Sequence, residues 1–284
     1  MKSYEDVNRN FLIPKLHTVL RLDGRAFHTY TKGFIRPYDN ALINAMNETA
    51  RYLCMNIQGA AFAYVQSDEI TIYLTDTADL ETQMWYGGNI QKMVSVSAAM
   101  ATSAFNKTML MYYCNSRDGD FRDDMLSKDD ISRIKMAEFD SRIFQLPNEH
   151  EVFNCVLWRQ QDCVRNSISA VAQSMFSHKE LHKKSVKEMK QMCLDKGYDW
   201  NELEDGLKHG RMLVREMSDV GVETFARNEM KSSDEMFEPM SSSDITIQHA
   251  KTPASLRSVW KAIGCPLFMD DRTWLYDKIN DTNK

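Results

Sequence analysis

The sequence predicts an α+β protein whose first half is a ferredoxin-like βαββαβ unit, a fold shared with polymerase palm domains. Three observations carry this. Strand-like and helix-like segments alternate up to about residue 145; two strand-like runs lie only three residues apart; and beyond residue 146 the pattern turns to charged, helix-like periodicity.

The elements follow in order. "HTVLRLDG", His17 to Gly24, is a short β-branched run closed by Asp-Gly, a turn signal. "PYDNALINAMNETARYLCMNI" then reads as a helix with Asp39 or Asn40 as N-cap, and Leu42, Ile43, Met46, Ala50 and Leu53 give it one apolar face. "AAFAYVQ" and "ITIYL", separated by "SDE", predict a β-hairpin. A second helix is expected from about Thr82 to Phe105, and "EFDSRIFQLP" supplies the last strand.

In the second half, "EVFNCVLWRQQDCVRNSISAVAQSMF" runs into a helix that Asp162 is expected to cap, with Trp158 packed in the core. "HKELHKKSVKEMKQMCLDKG" reads as one charged helix, with Lys179, Lys183, Lys187 and Lys190 at helical spacing. A Ser-rich and acid-rich stretch near 229–253 reads as a long mobile loop. The expected organisation is a palm-like βαββαβ domain over 1–145 and a helical region over 146–284 packed on it.

Composition narrows the function classes. With 284 residues and 43% hydrophobic content the chain can bury a full core. No apolar window reaches about 18 residues and the N-terminus is polar, so no membrane span or secretory signal is expected, and the default compartment is the cytoplasm. The six cysteines form no C-x-x-C pair, which argues for reduced, buried thiols over a zinc knuckle, and the nineteen methionines suit an irregular core. A net charge of −5 means that any polyanion must be met by a local basic stripe. The acidic run "RDGDFRDDMLSKDD" lacks an EF-hand glycine and reads as a solvated loop.

The chemistry rests on "AYVQSDEITIYL", where Asp68 and Glu69 interrupt apolar β-structure. Adjacent residues of an extended chain point to opposite faces, so these two acids cannot both ligate one ion without a turn. A second carboxylate comes from Asp23, because a βαββαβ sheet sets the end of its first strand beside the central hairpin. Asp68 is then expected at the bend facing Asp23, with Glu69 pointing elsewhere. Two carboxylates with carbonyls and water suit a two-ion Mg2+ site. The alternative is that Asp68 and Glu69 are polar turn residues and Asp23 only ends a strand; spacing leaves both open. Phosphate donors are at hand in the N–H groups after Gly24, in Arg25 and Arg36, and in Lys92 on a helix face.

The pieces "RLDGRAFHTYTKGFIRPYDNALINAMN", "AYVQSDEITI", "QKMVSVSAAMATSAF", "FDSRIF" and "WRQQDCVRNS" resemble, in order and spacing, the tRNA-His guanylyltransferase family and its guanylyltransferase-like relatives, over about Leu16 to Gln173. The resemblance implies a palm that adds nucleotides to tRNA 5′ ends in the 3′ to 5′ direction. It implies two Mg2+ ions held by Asp23, Asp68 and the Gly24 carbonyl, with Glu69 as a supporting catalytic acid. ATP and GTP would be met by Asp23, Gly24, Arg25, Ala26, Phe27, His28, Arg36, Ser67, Asp68 and Lys92. For tRNA contact, Arg159, Asn166 and the lysines at 179, 183, 187 and 190 are the candidates; relatives form tetramers. Members that add guanylate to tRNA-His carry H-I-N-N-L-Y-N, whereas "VRNSISA", Val164 to Ala170, stands here and keeps only Asn166 of that pattern. That departure favours templated repair of 5′-truncated tRNA over strict tRNA-His specificity. A guanylyltransferase proper, another palm-type nucleotidyl transferase or cyclase, and an idle RNA-binding protein remain alternatives, although the cyclase G-G-D-E-F hairpin is absent.

Overall fold

The computed structural model describes residues 1–115, 135–220 and 255–280, so the acidic run at 117–130 and the stretch 229–253 lie outside the described residues. Met1–Arg215 with Trp260–Lys284 make one compact unit, and Glu216–Val259 a second.

One six-stranded sheet organises the chain. Its strands are β1 (His17–Gly24), β2 (Ala60–Gln66), β3 (Glu69–Leu74), β4 (Phe139–Leu146), β5 (Arg211–Val220) and β6 (Ser255–Gly264), in the order β4-β1-β3-β2-β5-β6. The first four, with α3 (Asn40–Asn56) after β1 and α4 (Ile90–Asn115) after β3, form the antiparallel βαββαβ arrangement that the sequence predicts. Short helices α1 (Lys2–Asp6) and α2 (Phe27–Tyr30) flank β1. The second half adds α5 (Glu149–Met175), α6 (His178–Leu181), α7 (Val186–Asp195), α8 (Asp205–Lys208) and α9 (Arg272–Asn280).

Alternation along the strands sorts the apolar side chains into two layers. Leu20, Leu22, Val65, Ile70 and Ile72 point to one face and form a core with Met46, Leu53 and Phe105 of α3 and α4. Phe62, Tyr64 and Tyr73 point the other way and meet Phe153 and Val156 of α5 and Leu275 of α9. Each such fully buried side chain contributes about 1.5–3 kcal/mol, so the sheet is anchored on both faces. A third cluster joins Ile168, Val171 and Ala172 of α5 to Cys193 of α7 and Trp200.

Several expectations change. The region beyond 146 is not wholly helical: Met212, Leu213 and Val214 are buried, and β5 pairs antiparallel with β2 through Ala63 and Leu213. The second helix begins at Ile90 and not at Thr82, because Tyr86 and Gly87 take positive φ and the Asn89 side chain accepts the Lys92 N–H at 3.0 Å. Asp162 lies inside α5, whose N-cap is Asn148. Trp158 is 50% exposed, with the Arg159 guanidinium 4.1 Å from its ring centroid. The charged helix is two helices, each opened by its own capping box, Ser177 with Glu180 and Ser185 with Glu188; the break puts the four lysines on no common face. Among the described residues, Cys54, Cys155, Cys163, Cys193 and Cys265 are free thiols.

Candidate active site

Two turns create the site. β1 ends at Asp23-Gly24, and the Gly24 N–H donates to the Asp68 carbonyl at 3.0 Å, which ties that end to the central hairpin. The hairpin turn is the two residues Ser67 and Asp68 between Gln66 and Glu69, with Ser67 at φ 45°. Gly24 is required by packing: a Cβ there would lie 2.3 Å from the Phe27 ring. That ring is held by Tyr30, Phe105 and Phe139, with centroids 5.0 to 5.5 Å away, so the loop 25–28 beside the cleft is pinned from beneath.

The acids are arranged differently from the sequence expectation. Asp23 stands opposite Glu69 on one side and Asp140 on the other, so all three side chains share the sheet face that α5 covers. Glu69 therefore points with Asp23, and Asp68 sits at the turn. Burial, then Asp140, pushes the Asp23 carboxyl up, with Arg142, Arg21 and Arg159 opposing. Asp68 is also pushed up by burial; what lowers it is hydrogen bonding from its own backbone and Ser67, while the Asp23 charge raises it further. Glu69 is pushed up by burial, and Arg159 opposes most strongly. The Arg159 Nε lies 3.0 Å from Glu69 Oε1, an ion pair by distance without the alignment of a hydrogen bond, and Arg159 also binds Asp162.

Glu69 thus has a cation of its own, whereas among the described residues Asp68 makes no ion pair. Asp23 and Asp68, both disfavoured as anions, are the donor set that a hard divalent cation fits, with the Gly24 carbonyl as the implied third oxygen. Among the described residues no group of three or more His, Cys, Asp or Glu side chains is placed to hold a metal, so phosphate and water oxygens would complete the shell.

A cleft of about 640 Å3 opens beside this pair, lined by Gly24, Ala26, Phe27 and His28 on one wall and Ser67 and Asp68 on another. The loop carrying Arg36, Pro37 and Asp39 closes it, and Asn166, Ala170 and Gln173 of α5 face them. Asp39 does double duty, since its carboxylate also accepts the Ala41 and Leu42 N–H groups at the start of α3. A smaller cavity of about 140 Å3 adjoins it, reaching Gly210 and Arg211 at the start of β5.

Other expected site residues lie elsewhere. Arg25 turns away to an ion pair with Glu138. Lys92 sits near the other end of the sheet: its Nζ is 5.8 Å from the Tyr86 ring centroid, and its neighbour Met93 lines a small cavity with Thr18 and Leu74. Arg159 is only 6% exposed and pairs with two acids, a structural polar contact; it faces inward because α5 turns that side to the sheet. Lys190 donates to Asn201 Oδ1 at 2.6 Å and lies over Trp200, whereas Lys179, Lys183 and Lys187 are exposed. The cleft residues that sequence reasoning missed, Pro37, Ala170 and Gln173, carry no local chemical signal; only the fold gathers them, as it brings Arg211 to the adjoining cavity.

A ferredoxin-like sheet with paired carboxylates on its first strand and central hairpin marks the class of palm-type nucleotidyltransferases. A family model described as tRNAHis guanylyltransferase matches residues 1–147, and the chain belongs to that family. The tRNA(His) guanylyltransferase of Schizosaccharomyces pombe is 29% identical over 170 residues, 59% of this chain and 56% of that one; the chain thus spans little more than half of that relative. An uncharacterized protein of Acanthamoeba polyphaga mimivirus is 25% identical over 76% of each chain. Among solved structures, a bacterial tRNA(His) guanylyltransferase-like protein in complex with ATP superposes with a TM-score of 0.74 at 34% identity, covering 98% of this chain and 96% of that one. The Saccharomyces cerevisiae tRNA(His) guanylyltransferase shares the fold, with a TM-score of 0.59 at 18% identity over 75% of this chain and 91% of that one.

Proposed function

We propose that the chain is a Mg2+-dependent nucleotidyltransferase that extends tRNA 5′ ends in the 3′ to 5′ direction, with templated repair of truncated tRNA as its preferred reaction. The carrying observation is that burial disfavours both Asp23 and Asp68 as anions, and that Asp68 and Gly24, next to Asp23, line a cleft with Ser67, His28 and Arg36 on its walls. Asp23, Asp68 and Gly24 would hold the metal, which when bound would polarise phosphate oxygens and assist deprotonation of an attacking hydroxyl. The Gly24 to His28 loop and Arg36 orient a triphosphate, and Arg159 keeps Glu69 beside Asp23 without adding its charge to the pair. ATP activates the 5′-monophosphate, and the 3′-hydroxyl of GTP or another nucleotide attacks it, so catalysis is mainly positioning and charge compensation. Bacterial relatives solved with ATP and with GTP support both nucleotides as substrates. A cytoplasmic homotetramer is the assembly this reading takes.

The preference for repair rests on α5. Asn166, the one retained position of the altered stretch, and Ala170 at its end line the cleft, whereas Val164 at its start packs in the third core cluster. A template strand supplies base choice by pairing, so no sequence-reading side chain is needed there. Incubation with labelled nucleotides and 5′-truncated tRNAs, tRNA-His among them, tests this: extension of truncated tRNAs of several kinds is expected. An untemplated guanylate on tRNA-His alone would overturn the preference. Asp23→Ala and Asp68→Ala are each expected to abolish addition while circular dichroism stays native, and full activity in both would refute the metal assignment.

A further inference from the structure

The catalytic cleft does not end at Arg36. A second groove of about 450 Å3 continues from it, sharing Arg36 and Gln173 and running past Phe176 to His178, His182 and Lys183 at the turn between α6 and α7. Among the described residues, no acidic side chain lines it. The two nearest acids along the chain are engaged elsewhere. Glu180 accepts the Ser177 N–H and hydroxyl at 2.8 and 2.6 Å, and Glu188 accepts those of Ser185, both at 2.8 Å. Lys184 is paired with Glu188 at 3.3 Å, which leaves Arg36, Lys183 and the two imidazoles, whose ring centroids are 6.4 Å apart, directed at the groove.

We propose that this groove is a phosphate-binding track for the RNA strand whose 5′ end reacts at Asp68. Guanidinium, ammonium and imidazole N–H groups are phosphate donors, and a lining without carboxylates favours a polyanion. The two cavities in series exceed one nucleoside triphosphate: with a nucleotide in the first, the phosphates that follow the RNA 5′ end pass along the second. The track rests on the proposed function, because it takes the cleft as the place where an RNA end reacts. It also reassigns the RNA contact from a lysine-bearing helix face to the short turn that joins two capped helices.

The test compares the full chain with the double variant His182→Gln/Lys183→Asn; asparagine suits the φ of 61° at position 183. Affinity for a 5′-truncated tRNA transcript is measured by fluorescence anisotropy over a salt series, affinity for GTP by calorimetry, and nucleotide addition under steady state. The variant is expected to bind the tRNA roughly 5-fold or more weakly and to lose about one unit of the salt slope. KM for RNA rises in step, while kcat and GTP affinity hold. Unchanged RNA affinity and slope overturn the track, and so does a loss confined to GTP, which assigns the groove to the nucleotide's own triphosphate. If wild type adds no nucleotide to any RNA, the proposed function falls, but the binding arm still decides the groove. Should the double variant melt early, His178→Gln, an exposed change, is read in the same way.

Discussion

Arg159 holds two acids at once, Glu69 and Asp162, from a nearly buried position on α5. Removing one member of a buried pair strands the other charge, at a cost of about 3–5 kcal/mol. Arg159→Met is therefore expected to destabilise the protein by roughly 3 kcal/mol in denaturant melts, and adding Glu69→Gln to recover much of the loss. A double variant no better than the single one would show that the ion pair is not what Arg159 supplies. The residue-scale lesson for sequence reading is that charge type was visible and direction was not. "WRQQDC" shows an arginine, but whether it meets RNA or a carboxylate depends on which side of α5 faces the sheet, and two arginines near one tryptophan give no hint of it.

At the scale of elements, the loop after β1 depends on a ring stack beneath it. Gly24→Ala would drive a methyl group to 2.3 and 2.4 Å from two Phe27 ring carbons that three aromatic neighbours hold in place. Such overpacking costs about 1–3 kcal/mol, and the strain falls on the loop that faces the cleft. The expected outcome is a lower Tm together with a larger loss of nucleotide addition than the Tm alone explains; native melting and native activity would refute it. Elements with local signatures are legible in the sequence: the cap at Asp39 or Asn40, the Asp-Gly strand end and the hairpin all follow from neighbouring residues, although the turn is Ser67-Asp68 and not the three residues "SDE", because Glu69 already pairs with Gln66. The charged helix was misread although its signal was present. Ser177 with Glu180 and Ser185 with Glu188 are both S-x-x-E capping boxes, and a start signal inside a helical pattern outranks lysine spacing.

For the whole molecule, the acids beside the cleft set a pH dependence. Burial raises the folded pKa of Asp68 above its unfolded value, so between the two values the native state binds more protons and stability falls as pH rises. Above that window the deficit is complete. Asp68→Asn is thus expected to melt higher than wild type at pH 7 without metal, and its advantage to shrink as pH falls towards 4. Millimolar Mg2+ should raise the Tm of wild type but not of the variant, because only the native acid pair gains a ligand. A variant that melts lower at pH 7 would contradict this electrostatic account. At this scale the sequence showed least, since β5 and β6 join the sheet from more than 130 residues beyond β2, and the half-buried Arg211 donates to Asn47 of α3 at 2.7 Å from as far along the chain. Periodicity describes neighbours in the chain, not partners brought together by folding. The Gly24 N–H to Asp68 carbonyl bond has a last consequence. Because main-chain atoms make it, a side-chain exchange that packs without strain keeps the two turns tied together, whereas an insertion, a deletion or a clash such as Gly24→Ala pulls at the tie itself.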